Sequence, residues 1–153
     1  MIRYVQGDLL GATQKVIVHG CNNKGVMGSG VAKQIRDRWP NVYEVYALKH
    51  KVFGLDLGDI IPVATLDGHV VVNAVTQDGF GRDGRQYASY AGIERCFSII
   101  NDRVDSWEVT EVAMPRIGAG LGGGDWSVIE EIINRTAKSY TPVVYDLPVI
   151  SNK

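Results

Sequence analysis

Glycine falls mainly in three short stretches, Gly20-Cys21-Asn22-Asn23-Lys24-Gly25-Val26-Met27-Gly28-Ser29-Gly30, Gly79-Phe80-Gly81-Arg82-Asp83-Gly84 and Gly118-Ala119-Gly120-Leu121-Gly122-Gly123-Gly124. Each follows a β-branched run and precedes a helical pattern. Glycine there lets backbone N–H groups approach an anion beside a helix start, where the helix dipole also favours negative charge. One such stretch is compatible with a flexible turn; three at corresponding places point to a single phosphate-bearing ligand enclosed between them. The first stretch also carries side chains with chemistry. His19 ends an apolar run, and Asn22 and Asn23 stand just behind it. An imidazole can move a proton near neutrality, and an Asn amide can donate to a phosphate while accepting from a ribose hydroxyl. A histidine ending an apolar strand is equally compatible with a satisfied core residue, so both readings stand. Cys21 and Cys96 make neither a metal quartet nor a disulfide framework, and Cys21 has no cationic partner in sequence that would favour a thiolate; both read as packing residues.

The elements that would position these residues alternate along the chain. Strands are expected at Ile2 to Gln6, Lys15 to His19, Gly58 to Ala64, Val70 to Thr76, Glu111 to Pro115 and Pro142 to Leu147. Helices are expected at Gly30 to Arg38, with Val31, Ile35 and Arg38 at helical spacing, and at Asn41 to Lys51, with Val42, Val45, Tyr46 and Lys49 on one side. Two more are expected: Tyr87 to Val104, presenting Ala91, Cys96, Ile99 and Ile100, and a helix capped by Asp125 that runs through Val128, Ile129, Ile132, Ile133 and Ala137. This order implies an α/β sandwich whose largely buried sheet is covered on both faces.

The bulk composition narrows the partners. At 153 residues, 45% hydrophobic and 22% charged, the chain reads as one globular domain over residues 1–153 without a repeat or a low-complexity linker. Sixteen basic against seventeen acidic residues give a net charge of −1, which argues against bulk nucleic acid as a partner. No apolar run reaches the roughly 18 residues of a membrane span, and the N-terminus lacks the pattern of a signal peptide, so a cytoplasmic location is expected.

Two familiar phosphate-binding readings fail. The second and third glycine stretches both match G-x-G-x-x-G by spacing, and Asp146 follows the third about where a dinucleotide fold keeps its ribose-binding acid. Only one strand remains after Gly124, however, so a mononucleotide-binding half cannot be completed from there. The first stretch misses the nucleotide P-loop pattern because Gly30 is followed by Val31 rather than by Lys and then Ser or Thr.

Taken in order, Val5-Gln6-Gly7-Asp8-Leu9-Leu10, Val16-Ile17-Val18-His19-Gly20-Cys21-Asn22 leading to Met27-Gly28-Ser29-Gly30-Val31-Ala32, Met114-Pro115-Arg116-Ile117-Gly118-Ala119-Gly120-Leu121 and Val144-Tyr145-Asp146-Leu147 closely resemble a macro domain. The resemblance spans almost the whole chain. It is strongest toward the branch of yeast-type ADP-ribose 1″-phosphate phosphatases and terminal ADP-ribose protein glycohydrolases, in which a His stands where His19 does. It implies a three-layer α/β/α fold with a mixed, mostly parallel six-stranded sheet and a pocket for ADP-ribose. By the same resemblance Asp8 grips the adenine amino group, Leu9 belongs to the ligand-binding set, and Tyr145 packs on adenine. Gly28, Ser29, Gly30 and Val31 on one side and Gly118, Ala119, Gly120, Leu121 and Gly122 on the other meet the diphosphate through backbone donors, with Arg116 as a possible supplement. His19, Asn22 and Asn23 fall at the distal ribose, where catalysis is expected, with His19 as proton carrier. Two positions depart from the glycohydrolase pattern: Gln77 stands for its Lys, and Gly122 for its acid. Gln cannot form an amine adduct and Gly has no side chain. Metal-independent hydrolysis of ADP-ribose 1″-phosphate by a cofactor-free monomer is therefore the expected activity, with de-ADP-ribosylation of protein or nucleic acid, or ADP-ribose binding without catalysis, as rivals.

Overall fold

The computed structural model describes residues 1–147. Six strands form one sheet in the order β1-β6-β5-β2-β4-β3. They are β1 (Arg3–Gln6), β2 (Val16–Asn22), β3 (Ile60–Ala64), β4 (Val70–Gln77), β5 (Glu111–Met114) and β6 (Thr141–Asp146). Every neighbouring pair is parallel except β3 with β4, which is antiparallel. The expected mixed, mostly parallel sheet is what the chain forms.

Four α-helices cover it, α1 (Gly30–Arg38), α2 (Pro40–Phe53), α3 (Tyr90–Trp107) and α4 (Trp126–Thr136). Alternation along the buried strands sends Val16 and Val18 to one face and Ile17 and Cys21 to the other. On the first face they meet Ile93, Phe97 and Ile100 of α3 and Ile129 and Ile133 of α4. On the second they meet Ile35 of α1 and Val42 and Tyr46 of α2. The result is a three-layer α/β/α stack with a separate apolar layer on each side of the sheet.

Local chemistry explains the element ends. Ser89 caps α3 by accepting from the Gly92 N–H, and Asp125 caps α4 by accepting from the Ser127 N–H. Pro40 opens α2 at a position that needs no N–H donor. The α3 cap sets the start of that helix three residues downstream of the expected one, and packing on the sheet buries Gly92, Ile93 and Phe97 while Ala91, expected inward, is exposed. Val45, expected on the inner side of α2, and Arg38 on α1 are both exposed. Gly58 lies outside β3, with φ of 95°. One element was not foreseen, a 3₁₀ turn at Leu9–Gly11 capped by Asp8.

The difference that matters most is in β2. It runs to Asn22 rather than stopping at His19, because Gly20, Cys21 and Asn22 continue to pair with Ala74, Val75 and Gln77 of β4 across a bulge. The cleft therefore begins further along the chain.

Candidate functional site

A cleft of about 620 Å³ opens at the carboxyl ends of β2, β4 and β5, within the size range of small-molecule sites. One wall is the segment from Val26 to Ala32 at the start of α1. The opposite wall is Pro115 to Gly118 with Gly120, Leu121 and Gly122. Gln77 at the end of β4 and Phe80, Gly81 and Arg82 from the loop after it close a third side. The three glycine stretches thus converge on one space. Among the expected binding residues, Asn22, Gly28, Ser29, Gly30, Val31, Gly118, Gly120, Leu121 and Gly122 line it. Asp8, Leu9, Asn23, Ala119, Tyr145 and His19 do not.

The third loop folds back on itself through glycine. The Gly124 N–H donates to the Gly118 carbonyl at 2.8 Å, and the Tyr87 and Ala88 N–H groups donate to the Gly122 carbonyl at 2.8 and 3.0 Å. Gly118 has φ of 79°, in the left-handed region that favours glycine. This packing ties the third loop to the second.

His19, expected as a proton carrier, lies in the core and outside the cleft lining. It is fully buried, and its Nε2 lies 2.5 Å from Asn73 Oδ1. The Asn73 amide nitrogen faces the carbonyls of Val42 and Ile61, at 3.2 and 3.3 Å. Its oxygen must therefore accept, so the imidazole carries its hydrogen on Nε2. Burial pushes the imidazole pKa down to about 4, with the Asn73 bond opposing. It stays neutral near pH 7. Cys21, which does line the cleft, packs against it, with Sγ 3.5 Å from Nε2 and 3.9 Å from Nδ1. Burial also pushes the Cys21 thiol up.

The two asparagines are braces. Asn22 Nδ2 donates to the Val26 carbonyl at 2.8 Å, and its Oδ1 accepts from the Lys24 N–H at 2.9 Å. The buried Tyr46 hydroxyl donates toward the Asn22 carbonyl at 2.7 Å and lies 3.0 Å from Oδ1. Asn23 Nδ2 donates to Asp78 Oδ1 at 3.0 Å, and its Oδ1 accepts from the Gly79 N–H at 2.9 Å. Asn22 shapes the first loop from within, whereas Asn23 fastens it to the second. Replacing Tyr46 by Phe keeps the shape but takes the hydroxyl donor from the buried Asn22 carbonyl, while Oδ1 keeps the Lys24 N–H. A loss of about 1 to 2 kcal/mol in unfolding free energy is expected, with weaker ligand binding as the first loop relaxes; unchanged thermal unfolding and affinity would show that the loop holds itself.

At the β1 and β6 side, Asp8 Oδ1 accepts from the Leu10 N–H at 3.0 Å, so this carboxylate caps a turn outside the cleft lining. The Tyr145 hydroxyl donates to Gln14 Oε1 at 2.6 Å, and Leu9 is buried in the core beneath α1 and α2. Arg116 is at the cleft edge, bonded through Nε and a terminal nitrogen to both Asp146 oxygens at 2.8 and 2.9 Å. Sequence reasoning missed Val26, Met27, Phe80 and Arg82 as lining residues; the glycines beside them were their only signal. Among the described residues, no Asp, Glu, Lys or His lines the cleft. Among the described residues, no group of three or more His, Cys, Asp or Glu is placed to hold a metal ion, and no helix is long and apolar enough to cross a membrane.

Fold and cleft together define an α/β module that holds its ligand between backbone-rich loops at strand ends. Residues 18–133 match the Macro domain family, and the chain belongs to it. It is 31% identical over 134 residues to a DNA ADP-ribosyl glycohydrolase of Mycobacterium tuberculosis, across 86% of this chain and 37% of that protein. The chain thus spans little more than a third of that relative. It is 25% identical over 179 residues to an ADP-ribose 1″-phosphate phosphatase of Candida glabrata, across 95% of this chain and 98% of that one. The solved macrodomain of Mycobacterium tuberculosis DarG superposes with a TM-score of 0.83 at 28% identity, over 97% of this chain and 99% of that one.

Proposed function

We propose that the cleft binds ADP-ribose and that the protein hydrolyses the phosphomonoester of ADP-ribose 1″-phosphate. The observation that carries this reading is the lining itself: two glycine-rich walls, whose backbone N–H groups can serve as donors, with no Asp, Glu or Lys among the described residues that line them. A diphosphate can be met there without a basic cluster, which suits a chain of net charge −1. Glycosidic cleavage normally draws on carboxylates as acid, base or nucleophile. Phosphoryl transfer instead leans on positioning and on stabilising charge at the phosphate oxygens, work that N–H groups can do. Water is the nucleophile in this scheme, and the products are ADP-ribose and inorganic phosphate. The relative from Candida glabrata, matched over nearly its full length, bears the name of that activity.

One observation favours a second reading, binding without catalysis. His19 is sealed in the core and the amides of Asn22 and Asn23 are engaged in loop contacts, so none of the three expected catalytic side chains stands free in the cleft as a general base. A single screen separates the two. Purified protein should release inorganic phosphate from ADP-ribose 1″-phosphate, undiminished by EDTA, and should bind ADP-ribose 1:1 by calorimetry and more tightly than AMP. Binding without phosphate release would establish the non-catalytic reading. Release of ADP-ribose from ADP-ribosylated DNA or protein in the same screen, with the phosphate compound untouched, would overturn the phosphatase.

A further inference from the structure

Two arginines line the cleft, and they are held in opposite ways. Arg116, at the side toward β6, is committed: Asp146 takes it through two bonds, and its guanidinium lies 5.1 Å from the Tyr4 ring centre and 5.4 Å from that of Trp126. Arg82, in the loop after β4, is exposed and makes no ion pair among the described residues.

The loop explains why this charge is free. The acid beside it, Asp83, is taken elsewhere. Its Oδ1 accepts from the Tyr87 hydroxyl at 2.8 Å and from the Arg85 N–H at 3.2 Å, while Oδ2 pairs with Arg85 Nε at 3.3 Å. The Tyr87 hydroxyl packs so closely on Gly81 that a Cβ there would collide with it. At its base, the loop is fastened to the first loop by Asn23 through Asp78 and Gly79. A cation whose neighbouring carboxylate is drawn off thus stands on the cleft wall.

We infer that Arg82 binds the terminal phosphate of ADP-ribose 1″-phosphate and makes the cleft prefer that compound to ADP-ribose, an inference that rests on the preceding reading for the identity of the ligand. The strand order supplies the geometry. Arg82 stands on the third side of the cleft, after β4, which neighbours β2 in the sheet, so a ligand whose diphosphate lies between the two glycine-rich walls after β2 and β5 can bring a terminal phosphate to it. A phosphomonoester there carries about 1.5 to 2 negative charges at neutral pH, where ADP-ribose has a neutral hydroxyl. A guanidinium can meet two phosphate oxygens at once, and none of the backbone donors brings a full charge.

The test compares native protein with Arg82→Gln and Arg82→Lys, both exposed changes that leave packing intact. Affinity for ADP-ribose 1″-phosphate is read as KM where the native protein turns it over, and as a calorimetric Kd where it does not. The native protein should prefer the phosphorylated compound by about tenfold or more, as expected for charge-assisted bonds. Arg82→Gln should abolish that preference while leaving the Kd for ADP-ribose within about twofold, and Arg82→Lys should restore part of it. A native protein without the preference, or an Arg82→Gln protein that keeps it or loses both ligands equally, would overturn the assignment. A native protein that shows the preference through Arg82 but releases no phosphate would overturn the phosphatase reading and uphold the role of Arg82.

Discussion

Acidification from pH 7 to pH 4 is expected to lower the unfolding free energy by on the order of 3 kcal/mol through His19 alone. In the native protein the imidazole titrates near 4 because it is buried; in the unfolded chain it returns to the ordinary value of 6.5. Between those values the unfolded state binds a proton that the native state refuses, so stability is full above about pH 6.5 and is lost as pH falls toward 4. For a domain of this size the loss corresponds to roughly 6 to 12 °C in the thermal midpoint. Carboxylates held low by hydrogen bonds, Asp67, Asp83, Asp125 and Asp146 with an ordinary value of 3.8 and Glu111 with one of 4.5, begin to lose their contribution as pH falls through about 5, so the window above that reports mainly on the imidazole. His19→Gln removes the titrating group. The variant should be about 1 to 3 kcal/mol less stable at pH 7, since the Asn73 oxygen loses its donor geometry, and should show a much flatter dependence between pH 6.5 and 4.5. Thermal unfolding across that range measures both. Equal slopes in the two proteins would mean that the imidazole reaches solvent, and would return it to the cleft as a candidate proton carrier.

The next largest effect is expected where a side chain is added to the third loop, and it should depend sharply on position. At Gly118 the backbone is left-handed, and a Cβ would come within 3.1 to 3.3 Å of Ile129, Ala88 and Ile93. Valine there combines a conformational cost of about 1 to 3 kcal/mol with overpacking of similar size. A loss of roughly 3 to 5 kcal/mol is expected, a large part of the total stability of an ordinary domain, and ligand binding should vanish with the loop. At Gly120, nothing lies within 4 Å of the same added atom, and the residue lines the cleft. Gly120→Val should therefore melt like the native protein while binding ADP-ribose at least about tenfold more weakly, because the side chain stands in the ligand's path. Calorimetry with thermal unfolding on both variants gives the comparison. Native affinity in Gly120→Val would remove the third loop from the binding site.

Much of this protein can be read along the chain because much of it is encoded by local pattern. Alternation of β-branched residues marks strands, helical spacing marks the buried Ile129, Ile132 and Ile133 of α4, and Asp125 caps α4 by a bond to a residue two positions away. The glycine stretches announce the cleft for the same reason: their backbone requirements are local, and they stand where strands hand over to helices. What the chain order leaves open is the depth of a residue in the sheet and the identity of its neighbours. His19 and Cys21 share a face of β2 and both side chains are buried there, yet only Cys21 is among the residues lining the cleft, because pairing with β4 carries β2 on to Asn22. The group that satisfies His19 is Asn73, 54 positions away and brought alongside by strand register. Asn22 and Asn23 have the chemistry to hold a ribose, but Tyr46, Asp78 and Gly79 engage them first, and those contacts arise only when α2 and the loop after β4 close around the first loop. Residue type states what a side chain can do, whereas partners far away in sequence decide whether it is free to do it.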